Sequence, residues 1–234
     1  SGPRALAAIA SQDPVLVGAL MRIGNSPVFY QQGHASTLVD VVSRLGGSKT
    51  LAVAVSTALH SRIEGVPAHI VDGIWARSVQ VAGYALEAAM RQRRRNLVDA
   101  AYLAALIHEA GTCVLLKRFP QRAKLLDHKS GAAYDEAVLA ADAAEGTDHS
   151  AVGCIVARNW KLPPAVCESI RIHHLPEAAA TVDAEAAAVA ALVAVGRRVV
   201  DGPTPEWDGW APVAQRYVGI DELALNALSE PTAA

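Results

Sequence analysis

Aromatic residues are scarce in this sequence, at 5% of 234 residues, although 52% of the residues are hydrophobic. The core must therefore be built mainly from Ala, Leu, Val and Ile. Alanine is the strongest helix former and a poor filler of sheets, so this composition favours helices. Strand-like alternation of polar and apolar residues is also nearly absent. The predicted fold class is all-α, a compact multi-helix bundle.

Paired cysteines, strong net charge and long apolar runs are lacking as well. Cys113, Cys154 and Cys167 are odd in number and form no C-x-x-C motif, so they indicate neither a disulfide framework nor a zinc knuckle. The net charge of -2 offers no general attraction to nucleic acid or to an acidic membrane. We find no secretion signal and no membrane-length apolar run, residues 184–195 being the most apolar stretch. We therefore expect a cytoplasmic protein without a membrane partner.

Helix signals recur along the chain. Asp13-Pro14 is typical of an N-cap followed by the first helical residue. Residues 70–90 carry apolar side chains at helical spacing, which predicts a long helix. Gly46-Gly47 and Gly111 are predicted to end helices. Near the C-terminus, only residues 221–228 have a helical pattern.

Four motifs occur in order between residues 13 and 174. Residues 13–26 combine the Asp-Pro opening with an Asn-Ser helix end, and residues 38–46 have the pattern of a helix that ends in Leu-Gly. Residues 104–111 read AALIHEAG, and residues 145–174 contain E-x-x-x-H-x-x-x-G, W-x-L-P and His-His elements. Together these motifs resemble the HDOD family, the output-domain relatives of the HD phosphohydrolases.

The resemblance implies an HD-domain-like helical bundle with an N-terminal helical subdomain. We expect this subdomain at residues 1–65, the HD-like core at 66–200 and a C-terminal extension at 201–234, with 13–200 forming one HDOD unit. The implied function is that of a non-enzymatic bacterial signal-transduction module without a cofactor. Its implied partners are other signalling proteins or domains, and a small molecule or nucleotide is a candidate ligand.

The resemblance also implies a degenerate pocket. In HD hydrolases, a His, a His-Asp pair and a later Asp hold metal ions that activate a water molecule. Here Arg77 stands where the first His is expected, Glu109 follows His108 in place of Asp, and residues 193–197 contain no carboxylate. We therefore expect no catalytic residue and no metal ligand. The residues assigned to the pocket are Arg77, His108, Glu109, His149, His173 and His174.

Two alternatives remain open. The first is a metal-dependent nucleotide phosphohydrolase or phosphodiesterase that uses His108, Glu109, His149, His173 and His174. The second is a nucleic-acid-binding regulator that uses an anion patch formed by Arg91, Arg93, Arg94 and Arg95. Against the second, the patch contains no aromatic residue and lies at a predicted helix end, where arginine interacts favourably with the helix dipole. Nucleic acid is therefore not the expected partner.

Overall fold

The computed structural model describes residues 2–27, 29, 33–60 and 66–229. These ranges contain thirteen α-helices, one 3₁₀ helix and no strand. The all-α prediction is therefore confirmed. The chain divides into two compact units, residues 1–62 and 63–234. The predicted domain boundaries at residues 65 and 200 stay predictions.

The helices are numbered along the chain. The first unit contains α1 (Pro3–Ala10), α2 (Pro14–Gly24) and α3 (Leu38–His60). The second contains α4 (Ala68–Arg91), α5 (Val98–Ile107), α6 (Ala110–Arg118), α7 (Arg122–Leu126), α8 (Gly131–Glu145), α9 (His149–Asn159), α10 (Pro164–Ile172), the 3₁₀ helix Pro176–Thr181, α11 (Ala184–Asp201), α12 (Pro205–Val218) and α13 (Glu222–Ser229).

In the first unit, α2 begins as its sequence predicts. The Asp13 carboxylate accepts hydrogen bonds from two backbone amides of the first turn, and Pro14 occupies the first helical position. The Asn25 side chain, just after α2, both donates to and accepts from the backbone of Ala35. The predicted helix end at Gly46 is instead a kink within α3, where Gly46 has φ 76° and ψ 172°.

In the second unit, α11 is the central helix. Its residues from Ala186 to Arg197 are all buried, and it packs against α4, α5, α10 and α12. Small side chains allow this close packing: a Cβ on Gly196 would lie 2.4 Å from the carbonyl oxygen of Val81 on α4. The approach of α4 to α11 brings the middle of α4 beside the C-terminal half of α11.

Three expectations about the second unit are wrong. Gly111 does not end a helix but lies in the first turn of α6, where an added Cβ would lie 1.8 Å from the carbonyl oxygen of His149. Residues after 201 form α12, with Trp210 fully buried, because Pro205 takes the first helical position that proline tolerates. The segment Val98–Arg118, which comprises α5 and α6, is long and apolar enough to cross a membrane, although 78% of its 18-residue apolar window is buried inside the structure, as in the core of a folded domain.

Candidate functional site

Four histidines from three parts of the second unit meet in one pocket. His108 follows α5, His149 begins α9, and His173 and His174 follow α10. The ring centroid of His173 lies 5.4 Å from that of His108, 5.1 Å from that of His149 and 4.3 Å from that of His174. The structure therefore brings together the imidazoles that the motifs assigned to one pocket.

Each of the four imidazoles has its Nδ1 atom beside an oxygen acceptor. Since a carbonyl or carboxylate oxygen only accepts, each ring carries its proton on Nδ1 and keeps a lone pair on Nε2. The Nδ1 to oxygen distances are 2.6 Å from His108 to the Ala105 carbonyl, 2.6 Å from His149 to Asp142, 2.6 Å from His173 to the Ile170 carbonyl and 2.7 Å from His174 to Glu206.

Arg77 of α4 enters this pocket from the side of the His-Glu pair. Its Nη1 lies 3.2 Å from Oε1 of Glu109 and 3.4 Å from Nε2 of His108. Its Nε and Nη2 donate to the two oxygens of Asp201 at 3.0 and 2.6 Å, and Nη2 also donates to Asp135 at 3.0 Å. Burial alone would lower the pKa of Arg77, but these three carboxylates raise it above its usual value. Arg77 is therefore a permanent cation beside the dyad.

Arg197 of α11 supplies a second buried guanidinium. It donates to Asp135 at 2.6 Å, to Glu206 at 2.8 Å and to the carbonyl oxygen of His173 at 2.9 Å. Burial would lower its pKa, but Asp135 and Glu206 outweigh that effect and raise it. The segment 193–197, where the resemblance leads one to seek a carboxylate, thus contributes a positive charge instead.

Four acidic residues of this pocket escaped the sequence motifs: Asp135, Asp142, Asp201 and Glu206. Asp135 and Asp142 are seven residues apart on α8, so they share one helix face, which is the only local signal that they act together. Asp142 also accepts a 2.8 Å hydrogen bond from Arg122. Asp201 ends α11 and Glu206 begins α12, and no spacing relates either residue to the histidines.

The donor set of a metal-dependent HD hydrolase fits only in part. Both oxygens of Glu109 are engaged, Oε1 by Arg77 and Oε2 by the hydroxyl of Thr112 at 2.7 Å. The guanidinium also faces Nε2 of His108, and a cation at this point would be repelled. The His-Glu half of the set therefore does not fit a metal, and we derive no phosphoryl-transfer step through it.

The other half of the set keeps its donors. His149, His173 and His174 each offer one ring nitrogen, and these three nitrogens all lie within 4.8 Å of one another. Asp142, Asp148 and His149 form a second such group, although Asp148 is exposed and accepts from two backbone amides at the start of α9. The three imidazoles are thus the better candidate for holding a metal ion.

The arginine patch lies apart from this pocket. Arg91 is about 21 Å along α4 from Arg77, at 1.5 Å per residue. It pairs with Glu87 at 2.6 Å and donates to the Ala227 carbonyl at 2.8 Å. Residues 93–95 are exposed beyond the end of the helix.

A cavity of about 670 Å³ opens beside the Arg77 network. Its lining includes Arg77, Tyr134 and Asp201 together with Lys129 and His69. Its volume lies within the range of small-molecule sites.

Residues 1–176 match the family model of the HDOD domain. The chain belongs to the HDOD family. A curated relative, an uncharacterized protein of Treponema pallidum (strain Nichols), is 26% identical over 204 residues, which are 86% of this chain and 39% of the relative. The HDOD chain therefore spans about two fifths of the length of that relative.

Solved structures share its fold. An HDOD domain protein of unknown function from Geobacter sulfurreducens has a TM-score of 0.65 and 24% identity, covering 97% of this chain and 80% of its own. A provisionally named signal transduction protein from Marinobacter aquaeolei VT8 has a TM-score of 0.66 and 23% identity. The match covers 95% of this chain and 51% of that protein. A provisionally named phosphohydrolase from Shewanella amazonensis SB2B has a TM-score of 0.65 and 21% identity. The match covers 97% of this chain and 82% of that protein.

Proposed function

We propose that this HDOD chain is a non-enzymatic regulatory module of bacterial signal transduction that acts in the cytoplasm through contacts with other signalling proteins or domains. Its family membership and the signalling name of one structural neighbour support the signalling role. Three free, buried cysteines support a reducing compartment.

The guanidinium of Arg77 carries the non-enzymatic part of the proposal. A hydrolase of this type needs a His-carboxylate pair that faces a metal ion and its bound water. In this chain the pair faces Arg77 instead, and Asp201 holds that guanidinium with two hydrogen bonds. The pocket is therefore an ion-pair network that stabilises the second unit, and the pair has no free carboxylate oxygen for a metal.

The enzymatic alternative is tested with the purified protein and bis(p-nitrophenyl) phosphate in the presence of Mn²⁺, Fe²⁺ or Zn²⁺. The expected result is no turnover beyond that of a His108→Gln variant in any of the metals. Metal-dependent hydrolysis that His108→Gln abolishes would overturn the proposal.

A genetic arm tests the regulatory role itself. In a strain from which the gene is deleted, the wild-type chain and the His108→Gln variant should restore the regulated phenotype equally, because the dyad does no chemistry. A matched Glu109→Gln variant should behave in the same way if it accumulates to the wild-type level. Failure of both variants at wild-type protein levels would contradict a non-enzymatic function.

The cavity beside Arg77 favours a second role, the sensing of a small molecule or nucleotide. Arg77 is already paired with carboxylates, and His69 and His128 both lie beside Asp127, so Lys129 is the lysine of the lining that remains for an anionic ligand. A nucleotide that binds there should raise the melting temperature of the protein, and Lys129→Ala should remove the shift. Equal shifts in the wild type and in Lys129→Ala would place the ligand elsewhere.

A further inference from the structure

We propose that His149, His173 and His174 together bind one divalent transition-metal ion of the zinc class through their Nε2 atoms. This metal would be the ligand of the same pocket, so its meaning as a regulatory signal rests on the proposed function. The site differs from a hydrolase centre because it does not include His108 and Glu109, whose side chains face the guanidinium of Arg77.

The first support is a conflict between two lone pairs. Nε2 of His149 and Nε2 of His173 lie 3.3 Å apart. The Asp142 carboxylate and the Ile170 carbonyl hold the protons of these rings on Nδ1, so neither Nε2 of the neutral rings has a proton to donate. Two acceptors at this distance repel each other unless a cation lies between them.

The second support is the distance itself. Zinc binds imidazole nitrogen at about 2.0–2.1 Å in tetrahedral geometry, which separates two ligand nitrogens by about 3.3–3.4 Å. The observed separation of 3.3 Å matches that spacing. Imidazole donors also select zinc-class ions over Mg²⁺ and Ca²⁺, which prefer oxygen ligands.

The third support comes from His174. Its Nδ1 is engaged with Glu206, and its buried Nε2 has no hydrogen-bond partner. The side chain is only 5% exposed, so bulk water does not readily compensate for the missing partner. A proton shared between His149 and His173 would resolve the conflict at those two rings and leave Nε2 of His174 unpaired. A metal ion satisfies all three nitrogens.

The surroundings of the three rings resemble the outer shell of metal sites. Ligating histidines usually donate their second N–H to a carboxylate or a backbone carbonyl, which fixes the tautomer and makes the ligand more basic. Asp142, the Ile170 carbonyl and Glu206 have this role for the three rings. The three imidazoles are therefore already oriented as ligands.

The charges of the buried network give the fourth support. The network around the dyad contains four carboxylates and only two guanidinium groups, so it carries two excess negative charges. Its members are Glu109, Asp135, Asp201, Glu206, Arg77 and Arg197. Uncompensated buried charge is costly, and one divalent cation in the adjoining histidine cluster would balance this excess.

The test uses the full chain without a histidine tag, stripped with EDTA and then titrated with Co²⁺. The expected result is one Co²⁺ per chain with the intense visible absorption of four-coordinate cobalt, displaced by Zn²⁺. The stripped protein should also gain thermal stability when Zn²⁺ is added, because the ion binds the folded state.

Three variants locate the site. His174→Ala removes a ligand whose Nδ1 faces the side chains of Glu206 and Arg197, and should weaken Co²⁺ binding at least 100-fold. Glu206→Gln should weaken it by about 10- to 100-fold, as loss of an outer-shell partner does, and serves as the test if His174→Ala does not fold. His34→Ala, which removes an exposed imidazole of the first unit, is the matched control and should bind as the wild type does.

The proposal is overturned if stripped protein binds no Co²⁺ in the micromolar range, or if binding survives His174→Ala and Glu206→Gln in folded protein. Loss of binding in His34→Ala would also overturn it, because the metal would then lie on the surface. These failures leave the regulatory function standing. Phosphodiester turnover by the metal-loaded protein would instead overturn the proposed function and leave the metal site intact.

Discussion

Replacing Arg77 by methionine should destabilise the second unit by about 4 kcal/mol. Methionine keeps an unbranched apolar stem in place of that of arginine and removes the charged guanidinium. Asp201, with a side chain 3% exposed, then loses both hydrogen bonds that it accepts from Arg77. Asp135 keeps Arg197, and Glu109 keeps Thr112. The substitution thus removes both of the hydrogen bonds that Arg77 donates to Asp201 and one hydrogen bond each to Asp135 and Glu109. Removing one partner of a buried ion pair costs about 3–5 kcal/mol.

Urea unfolding followed by far-UV circular dichroism measures this loss. Arg91→Met on the same helix is the matched control, because Arg91 pairs with Glu87 at the surface and should cost no more than about 1 kcal/mol. The double variant Arg77→Met with Asp201→Asn should recover more than about 1 kcal/mol, since it neutralises the stranded carboxylate. A stability loss for Arg77→Met as small as that of Arg91→Met would refute the buried network described here.

Three further predictions concern packing, pH and a loop. Gly111→Ala should destabilise the protein by about 3 kcal/mol or more in urea unfolding, because the added Cβ would overlap a carbonyl oxygen of α9. Gly73→Ala on α4 is the control, since its Cβ meets open space and the change should be neutral or stabilising. Equal effects of the two substitutions would contradict the close approach of α9 to α6. Burial lowers the pKa of His108 from 6.5 to about 3 despite the nearby Glu109. Below pH 6.5 the unfolded chain therefore binds a proton at His108 and the folded chain does not. This difference should lower the free energy of unfolding by about 2 kcal/mol as the pH falls from 8 to 5. His108→Gln should remove this part of the pH dependence of unfolding, and an unchanged slope would show that His108 is protonated in the folded state. Asn25→Ala should cost about 1–3 kcal/mol, because it leaves a buried backbone amide unpaired; a neutral effect in thermal unfolding would argue against that bond.

Local signals predicted the helices best where their cause is local. Asp13 and Pro14 place the start of α2 because capping involves only the first turn. Gly111 misled the prediction because glycine serves both as a helix terminator and as a point of close packing, and only the approach of α9 distinguishes the two uses. Residues beyond 201 were wrongly expected to lack a long helix, since proline at a first helical position looks like a helix breaker in the sequence.

The pocket was predictable only in part. The family resemblance implied that His108, His149, His173 and His174 share one pocket, and their rings lie close together in the structure. Their tautomers could not be predicted, because each depends on which oxygen faces Nδ1. Asp142 and Glu206 provide two of those oxygens from other helices.

The sequence by itself determined the helical class and the family motifs. These properties depend on composition, on spacing within a helix and on residue identity. Tertiary structure alone decided which charges meet, because Arg77 and Asp201 are 124 residues apart and no periodicity links them. The packing of α4 against α11 brings this pair into contact, and the packing of α10 against α9 and α11 brings His149, His173 and His174 together.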